Sequence, residues 1–168
     1  MMMAKKKLEI AIPIFHNLTA LDAIGPYDVL QLLPNAQIKF VSHKKGLLQT
    51  FRGSLYLQAT ASFEEVPNPQ VVLVPGGPGT TPLMQDEVLL NWLRKVHETT
   101  LFTTSVCTGS HLLAAAGFLK GLEATGTRMT CFLTTELGPL RRGLSGRVRS
   151  SQQQEYLQGS TWRLSWQL

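Results

Sequence analysis

Residues 70–79, Gln70–Gly79, read QVVLVPGGPG, and this stretch decides the fold. Its apolar, mostly β-branched run ends abruptly in a turn made of glycine and proline. A continuous run of this kind predicts a strand buried on both faces, as in a parallel sheet covered by helices. The turn would then lie at the carboxyl end of that strand, which is where α/β proteins bind ligands.

A second strand end lies farther along the chain, where residues 101–117 read LFTTSVCTGSHLLAAAG. We predict a strand over Leu101–Val106, then Cys107, then a helix over Ser110–Phe118. A strand-to-helix elbow exposes a nucleophile, and Gly109 lets the backbone turn tightly. The positive end of the following helix favours a thiolate, so Cys107 is a candidate nucleophile, although a lone cysteine is more often a small buried side chain.

The rest of the chain alternates short apolar runs with helical stretches. Helical spacing over Asp86–Glu98 and a loop and helix over residues 18–32 separate the predicted strands. Strand–helix alternation predicts an α/β fold with a mostly parallel sheet and right-handed crossovers. The further predicted strands are Leu8–Phe15, Gln37–Ser42 and a short one at Leu55–Ala59.

Composition excludes several classes of protein. A chain of 168 residues with 43% hydrophobic and 16% charged residues is typical of one globular domain. No uninterrupted apolar run approaches a membrane span, and the basic start lacks a signal-peptide cleavage site. Cys107 and Cys131 form neither a disulfide framework nor a zinc-ligand spacing, so we expect a reducing, cytoplasmic setting and no metal.

The net charge of +5 comes mainly from the end of the chain. Residues 1–140 carry eleven Lys and Arg against ten Asp and Glu, whereas residues 141–168 carry five against one. No aromatic platform or DNA-reading motif accompanies this basic tail, so we expect no nucleic-acid partner. We interpret 1–140 as the domain and 141–168 as an atypical basic tail.

A thiolate needs a group that manages protons, and the sequence leaves several open. Histidine is the usual partner, with His16, His43, His97 and His111 as candidates. Asp22 is the carboxylate alternative, with helix capping as its simpler role. Backbone amides of Gly77 and Thr108 are candidates for holding a developing negative charge.

Four motifs in this order resemble the ThiJ/PfpI superfamily, and within it the isonitrile hydratase branch, over about residues 8–125. They are Leu21-Asp22-x-x-Gly25-Pro26-x-Asp28-Val29-Leu30, Leu57-Gln58-Ala59-Thr60, Pro75-Gly76-Gly77-x-Gly79 and Thr104-Ser105-Val106-Cys107-Thr108-Gly109-Ser110. The resemblance implies a flavodoxin-like three-layer sandwich, usually a homodimer, that uses no metal or organic cofactor.

The resemblance also implies the roles of individual residues. Cys107 would be the nucleophile, Asp22 the acid/base carboxylate and Thr108 a catalytic partner, with Gly76 and Gly77 as oxyanion or substrate-binding residues. The implied reaction hydrates a small isonitrile to an N-substituted formamide. Glyoxalase, deglycase, amidase or peptidase activities of the superfamily remain alternatives, as does an inactive or ligand-sensing domain.

The chain departs from the family pattern after Gly121. Thr127 and Arg128 stand where the family has histidine and tryptophan. The change in composition over 141–168 favours a truncated or frame-shifted reading frame. We therefore expect a sheet that is incomplete at its C-terminal side.

Overall fold

The computed structural model describes residues 7–120. A five-stranded sheet has the order β5-β2-β1-β6-β7, and every neighbouring pair in it is parallel. Its strands are β1 (Leu8–Pro13), β2 (Ala36–Ser42), β5 (Ala61–Ser62), β6 (Val71–Val74) and β7 (Phe102–Ser105). The α/β class with a mostly parallel sheet, predicted from the sequence, is confirmed.

Within residues 7–120, four helices connect the strands, and a separate hairpin adds two further strands. The helices are α1 (Ala20–Leu30), α2 (Thr80–Leu83), α3 (Glu87–His97) and α4 (Gly109–Ala115). The antiparallel hairpin pairs β3 (Gly46–Gln49) with β4 (Tyr56–Ala59). The sequence predicted β4 but did not predict β3, β5 or the one-turn helix α2. Residues 7–120 contain no helix that is both long and apolar enough to cross a membrane.

The core forms where the β1 and β6 side chains meet the helices. Ile10, Ile12, Val72, Leu93 and Leu112 are completely shielded from solvent. β6 runs between β1 and β7, and its last three residues are all buried, as its continuous apolar sequence predicts.

Helix α3 shows how the sequence sets an element's ends. Oδ1 of Asp86 accepts hydrogen bonds from the N–H groups of Val88 and Leu89, both at 3.1 Å, and so caps the first turn. Trp92 lies on the buried face and donates its indole N–H to the carbonyl of Val66 at 3.0 Å. The predicted limits of this helix agree with the observed cap residues.

Helix α1 carries a proline in its interior, Pro26. Proline has no N–H, so the carbonyl four residues earlier, that of Asp22, receives no hydrogen bond from it.

The atypical tail 141–168 and the expected incompleteness of the sheet lie outside the described residues.

Candidate functional site

The elbow after β7 holds Cys107 in a left-handed backbone conformation, with φ of 53°. The Val106 N–H donates to the Val74 carbonyl at 2.9 Å, and the Gly109 N–H donates to the Val106 carbonyl at 2.9 Å. These bonds fix the turn against the end of β6. A non-glycine residue at such a φ costs about 1–2 kcal/mol, and such strain is typical of functional sites.

Gly109 is required for this turn because of a close approach. A Cβ on residue 109 would lie 2.2 Å from the carbonyl oxygen of Val74. The glycine therefore lets α4 begin directly on β6, and the Cys107 side chain remains exposed at the sheet edge. The strand-to-helix elbow that the sequence predicted is therefore present, with Cys107 between β7 and α4.

Asp22 lies in the first turn of α1, and its carboxylate points into the protein. Thr19, not Asp22, is the N-cap residue of the helix. Asp22 is only 9% exposed, and its Oδ2 accepts a hydrogen bond from the N–H of Gly76 at 3.1 Å, across 54 residues of sequence. The simpler capping role considered for Asp22 is therefore wrong.

The glycine turn after β6 is fastened to the elbow by Thr108. The Gly77 N–H donates to Oγ1 of Thr108 at 2.8 Å, and that hydroxyl lies 3.2 Å from the Gly77 carbonyl oxygen, to which it can donate. Thr80 donates its hydroxyl to the same carbonyl at 2.8 Å. Gly77 has φ of 132°, a conformation that favours glycine.

The structure thus brings four predicted site residues into contact: Asp22, Gly76, Gly77 and Thr108. Cys107 precedes Thr108 in the chain. The N–H groups of both glycines already bond side chains of the site, so neither is directed at an empty position. Among residues 7–120, the N–H of Thr108 has no hydrogen-bond acceptor and remains the candidate oxyanion donor.

The histidines occupy four different environments. His16 is exposed after β1, and its Nδ1 accepts from the Gln49 N–H at 3.2 Å. His43 lies 2.8 Å from Oδ2 of Asp86, far from the elbow in sequence. His111 lies in α4 and is half-buried, and this burial lowers its pKa. The sequence favoured a solvent-facing position for His111, which is only partly correct.

His97 lies in a cluster with the half-buried Phe118 and the buried Thr103 at the opposite edge of the sheet, near the start of β7. Its Nδ1 lies 2.8 Å from Oγ1 of Thr103, and its ring stacks on Phe118 with centroids 4.1 Å apart. Burial lowers the pKa of His97, while the charge of Glu98 opposes that shift. No hydrogen bond from this cluster reaches Asp22 within the part of the chain that the structure describes.

Three supporting residues were not predicted from the sequence. Thr19 donates its N–H to the Gly76 carbonyl at 2.9 Å, Thr80 holds Gly77, and Ser110 donates its hydroxyl to the Cys107 carbonyl at 3.1 Å. Ser110 lies within the quoted elbow motif, so its sequence position gave a signal. Thr19 acts through a contact with a distant segment of the chain, whereas Thr80 bonds Gly77 only three residues earlier, directly after the quoted glycine turn.

No cluster of three or more His, Cys, Asp or Glu side chains that could bind a metal ion occurs among residues 7–120. The described donors are a carboxylate, a thiol, hydroxyls and backbone amides. This set can perform nucleophilic addition with proton transfer by a carboxylate.

Comparison with known proteins agrees with the motifs. A family model described as the DJ-1/PfpI family matches residues 8–135. An isonitrile hydratase from Pseudomonas putida is 43% identical over 118 residues, which are 70% of this chain and 51% of that protein. The chain therefore spans about half the length of this curated relative.

Solved structures support the same fold. A ThiJ/PfpI family protein from Pseudomonas syringae superimposes with a TM-score of 0.68 at 31% identity, covering 72% of this chain and 50% of that one. A ThiJ/PfpI domain protein from Brachyspira murdochii has a TM-score of 0.65 at 18% identity, covering 74% and 72%. The flavodoxin-like α/β fold implied by the resemblance is confirmed.

Proposed function

This chain belongs to the DJ-1/PfpI family, and on that premise we propose that it hydrates small isonitriles to N-substituted formamides. The observation that carries the proposal is the buried Asp22 carboxylate, which lies on Gly76 beside Thr108, the residue after Cys107. A thiol nucleophile and one carboxylate at the same edge of the sheet are what this hydration requires. The isonitrile hydratase from Pseudomonas putida supports the choice of substrate class.

In the first half of the reaction, the Cys107 thiolate adds to the terminal carbon of the isonitrile and forms a C–S bond. Protonated Asp22 gives its proton to the same carbon. The product is a thioimidate, R–N=CH–S–Cys107, and Asp22 becomes a carboxylate. Splitting the hydration at a covalent intermediate replaces one difficult step with two easier ones.

In the second half, the Asp22 carboxylate takes a proton from water while the water oxygen adds to the thioimidate carbon. The proton passes to the nitrogen, which leaves a tetrahedral adduct bearing one hydroxyl group. Collapse forms the C=O bond, returns the hydroxyl proton to Asp22 and releases the Cys107 thiolate with R–NH–CHO. One carboxylate thus acts as acid and then as base, and the enzyme returns to its starting state.

Thr108 has two roles in this proposal. Its hydroxyl keeps the glycine turn closed, and its N–H is the donor for charge that develops on the substrate. Gly76 and Gly77 contribute by holding Asp22 and Thr108, because their amides are already engaged with those side chains.

The test is formamide production from n-butyl isonitrile by the purified chain, followed by NMR or chromatography. We expect turnover in the wild type and loss to background in Cys107→Ala. Gly25→Ala is the matched control, because a Cβ there meets only Leu21 Cδ1 at 3.6 Å, an ordinary contact. Formamide production that survives Cys107→Ala, or turnover of methylglyoxal alone, would contradict the proposal.

We also propose that the chain functions as a homodimer through α1. Leu21, Val29 and Leu32 are 74%, 68% and 80% exposed; helical spacing puts Leu21 and Val29 on one side of α1, and Leu32 lies in the turn that follows it. Exposed apolar residues aligned in this way are typical of an association surface. Light scattering should give twice the monomer mass, and Leu32→Glu should give the monomer; an unchanged mass in the variant rules out this surface.

A reduced thiol nucleophile also supports a cytoplasmic location for the reaction. The test is fractionation of cells that express a C-terminally tagged chain. Recovery in the periplasmic or secreted fraction would contradict it.

A further inference from the structure

Gly76 binds the start of α1 through both of its peptide groups. Its N–H donates to Oδ2 of Asp22 at 3.1 Å, and its carbonyl accepts from the N–H of Thr19 at 2.9 Å. Thr19 is the residue immediately before α1. The glycine turn after β6 therefore fixes both the backbone at the start of α1 and the Asp22 carboxylate that α1 carries.

The Cα of Gly76 is enclosed by the two groups of the site. A Cβ on residue 76 would lie 2.6 Å from the Thr108 nitrogen and 2.8 Å from each of two oxygens, Asp22 Oδ2 and Thr108 Oγ1. The φ of Gly76 is not in the left-handed region, in contrast to that of Gly77. Glycine is therefore required at position 76 for space and not for backbone conformation.

We propose that Gly76 is a positioning residue that sets the place of the Asp22 carboxylate relative to the Cys107 elbow. Its missing side chain lets Asp22 and Thr108 approach one another across a single Cα. Its N–H anchors Oδ2 of the carboxylate, so Oδ1 is the oxygen that exchanges the proton with substrate and water. This inference rests on the proposed function, because it assigns the proton transfer to one oxygen of the same carboxylate.

Gly76→Ala tests the inference with little ambiguity, since its effect is steric. We expect kcat for n-butyl isonitrile to fall by ~100-fold or more, because misplacing a reacting group by about 1 Å costs a factor of this size. KM should change by less than ~3-fold, because in the proposed reaction the Asp22 carboxylate transfers a proton and does not bind the substrate. Gly25→Ala, in the same helix as Asp22, should leave both constants unchanged, because a Cβ there makes only an ordinary contact with Leu21.

A double-mutant cycle separates positioning from general damage. A positioning residue has nothing left to place once Asp22 has lost its function, so Gly76→Ala should lower the residual turnover of Asp22→Asn by less than ~3-fold. Equal losses in both backgrounds, with a matching loss of cooperative thermal unfolding, would show that Gly76 is only structural and would overturn the inference.

A second cycle needs no isonitrile and therefore keeps the inference apart from the proposed function. It measures the rate at which iodoacetamide alkylates Cys107 at pH 7 in the same four proteins. The charge and the hydrogen bonds of a neighbouring carboxyl group shift the equilibrium between thiol and thiolate, so Asp22→Asn should change the rate by ~3-fold or more when residue 76 is glycine. With alanine at 76 the carboxylate is already displaced, and Asp22→Asn should change the rate by less than ~1.5-fold.

The outcomes are distinguishable. Absence of formamide in the wild type would refute the proposed function, and the alkylation cycle would then decide about Gly76 alone. An Asp22→Asn effect on alkylation that is the same with glycine and with alanine at position 76, or absent in both, would overturn the positioning role.

Discussion

The carboxyl and amino edges of the sheet contain similar residues in different environments. At the carboxyl edge, Asp22 and Thr108 meet at Gly76, beside a strained and exposed Cys107. At the amino edge, His97 and Thr103 meet beneath Phe118, with Thr103 completely buried. Each cluster contains a titratable side chain and a threonine hydroxyl. The difference lies in backbone strain and exposure, because within residues 7–120 the thiol of Cys107 at the first edge is exposed.

The largest expected effect separates the proposed proton transfer by Asp22 from its contact with Gly76. Both Asp22→Asn and Asp22→Ala remove the proposed proton transfer, so kcat should fall by about 10²–10⁴-fold in each. The Asn carbonyl oxygen can still accept from Gly76, whereas alanine leaves a buried N–H without a partner. Urea unfolding should therefore show Asp22→Ala less stable than Asp22→Asn by about 1–3 kcal/mol.

Equal stability of the two variants would show that the bond between Gly76 and Asp22 contributes little.

The counterpart at the amino edge is Thr103→Val, which removes the hydroxyl that contacts His97. Turnover should stay within about 2-fold of the wild type, since Thr103 touches no reacting group.

A second, smaller effect measures the strain at the elbow. Cys107→Gly should be more stable than Cys107→Ala by about 1 kcal/mol, because glycine adopts a positive φ without steric cost. Gly117 is the matched control in the opposite direction. Its φ is 93° and a Cβ there would meet nothing within 4 Å, so Gly117→Ala should be destabilised by a similar amount through φ alone.

Urea unfolding of these three variants and the wild type provides the measurement. If Cys107→Gly is no more stable than Cys107→Ala, the left-handed conformation of the elbow stores no strain, and the contrast between the two edges reduces to exposure.

The smallest expected effect is a pH dependence from the amino edge. Burial lowers the pKa of His97 below its ordinary value of 6.5. The unfolded chain therefore binds more protons than the folded one as pH falls below that value, so stability is full above about pH 6.5 and declines below it. The lowered pKa of His111 acts in the same direction.

Thermal unfolding between pH 7.5 and 5 should show this decline, and His97→Gln should flatten part of it. His16→Gln is the control, since that side chain is exposed. A decline that is unchanged in His97→Gln would mean that the histidine cluster does not contribute to the pH dependence.

Much of the fold could be predicted because its signals are local. A continuous apolar run predicts β6. An apolar stripe along one face and Asp86 at the N-cap predict α3. The β3–β4 hairpin was not fully predicted, because the connection over 50–55 lacks a two-residue turn signal. The one-turn helix α2 is too short to show a period.

The site was predictable in its residues but not in its bonds. The Cys107 elbow and the glycine turn are visible as strand ends in the sequence. The Asp22–Gly76 bond joins positions 54 residues apart, and the acceptors of the Gly76 and Gly77 amides depend on how three segments pack. A sequence can show that such donors exist, but their direction is a property of the tertiary structure.

Pro26 affects how the Asp22 carboxylate is held in place. Since it removes the donor that would reach the carbonyl of Asp22, the turn bearing the carboxylate lacks one bond to the rest of its own helix. This turn of α1 is held instead by Gly76, in the glycine turn after β6. The Asp22 carboxylate and the elbow that contains Cys107 are therefore both held by the end of β6 and the glycine turn after it.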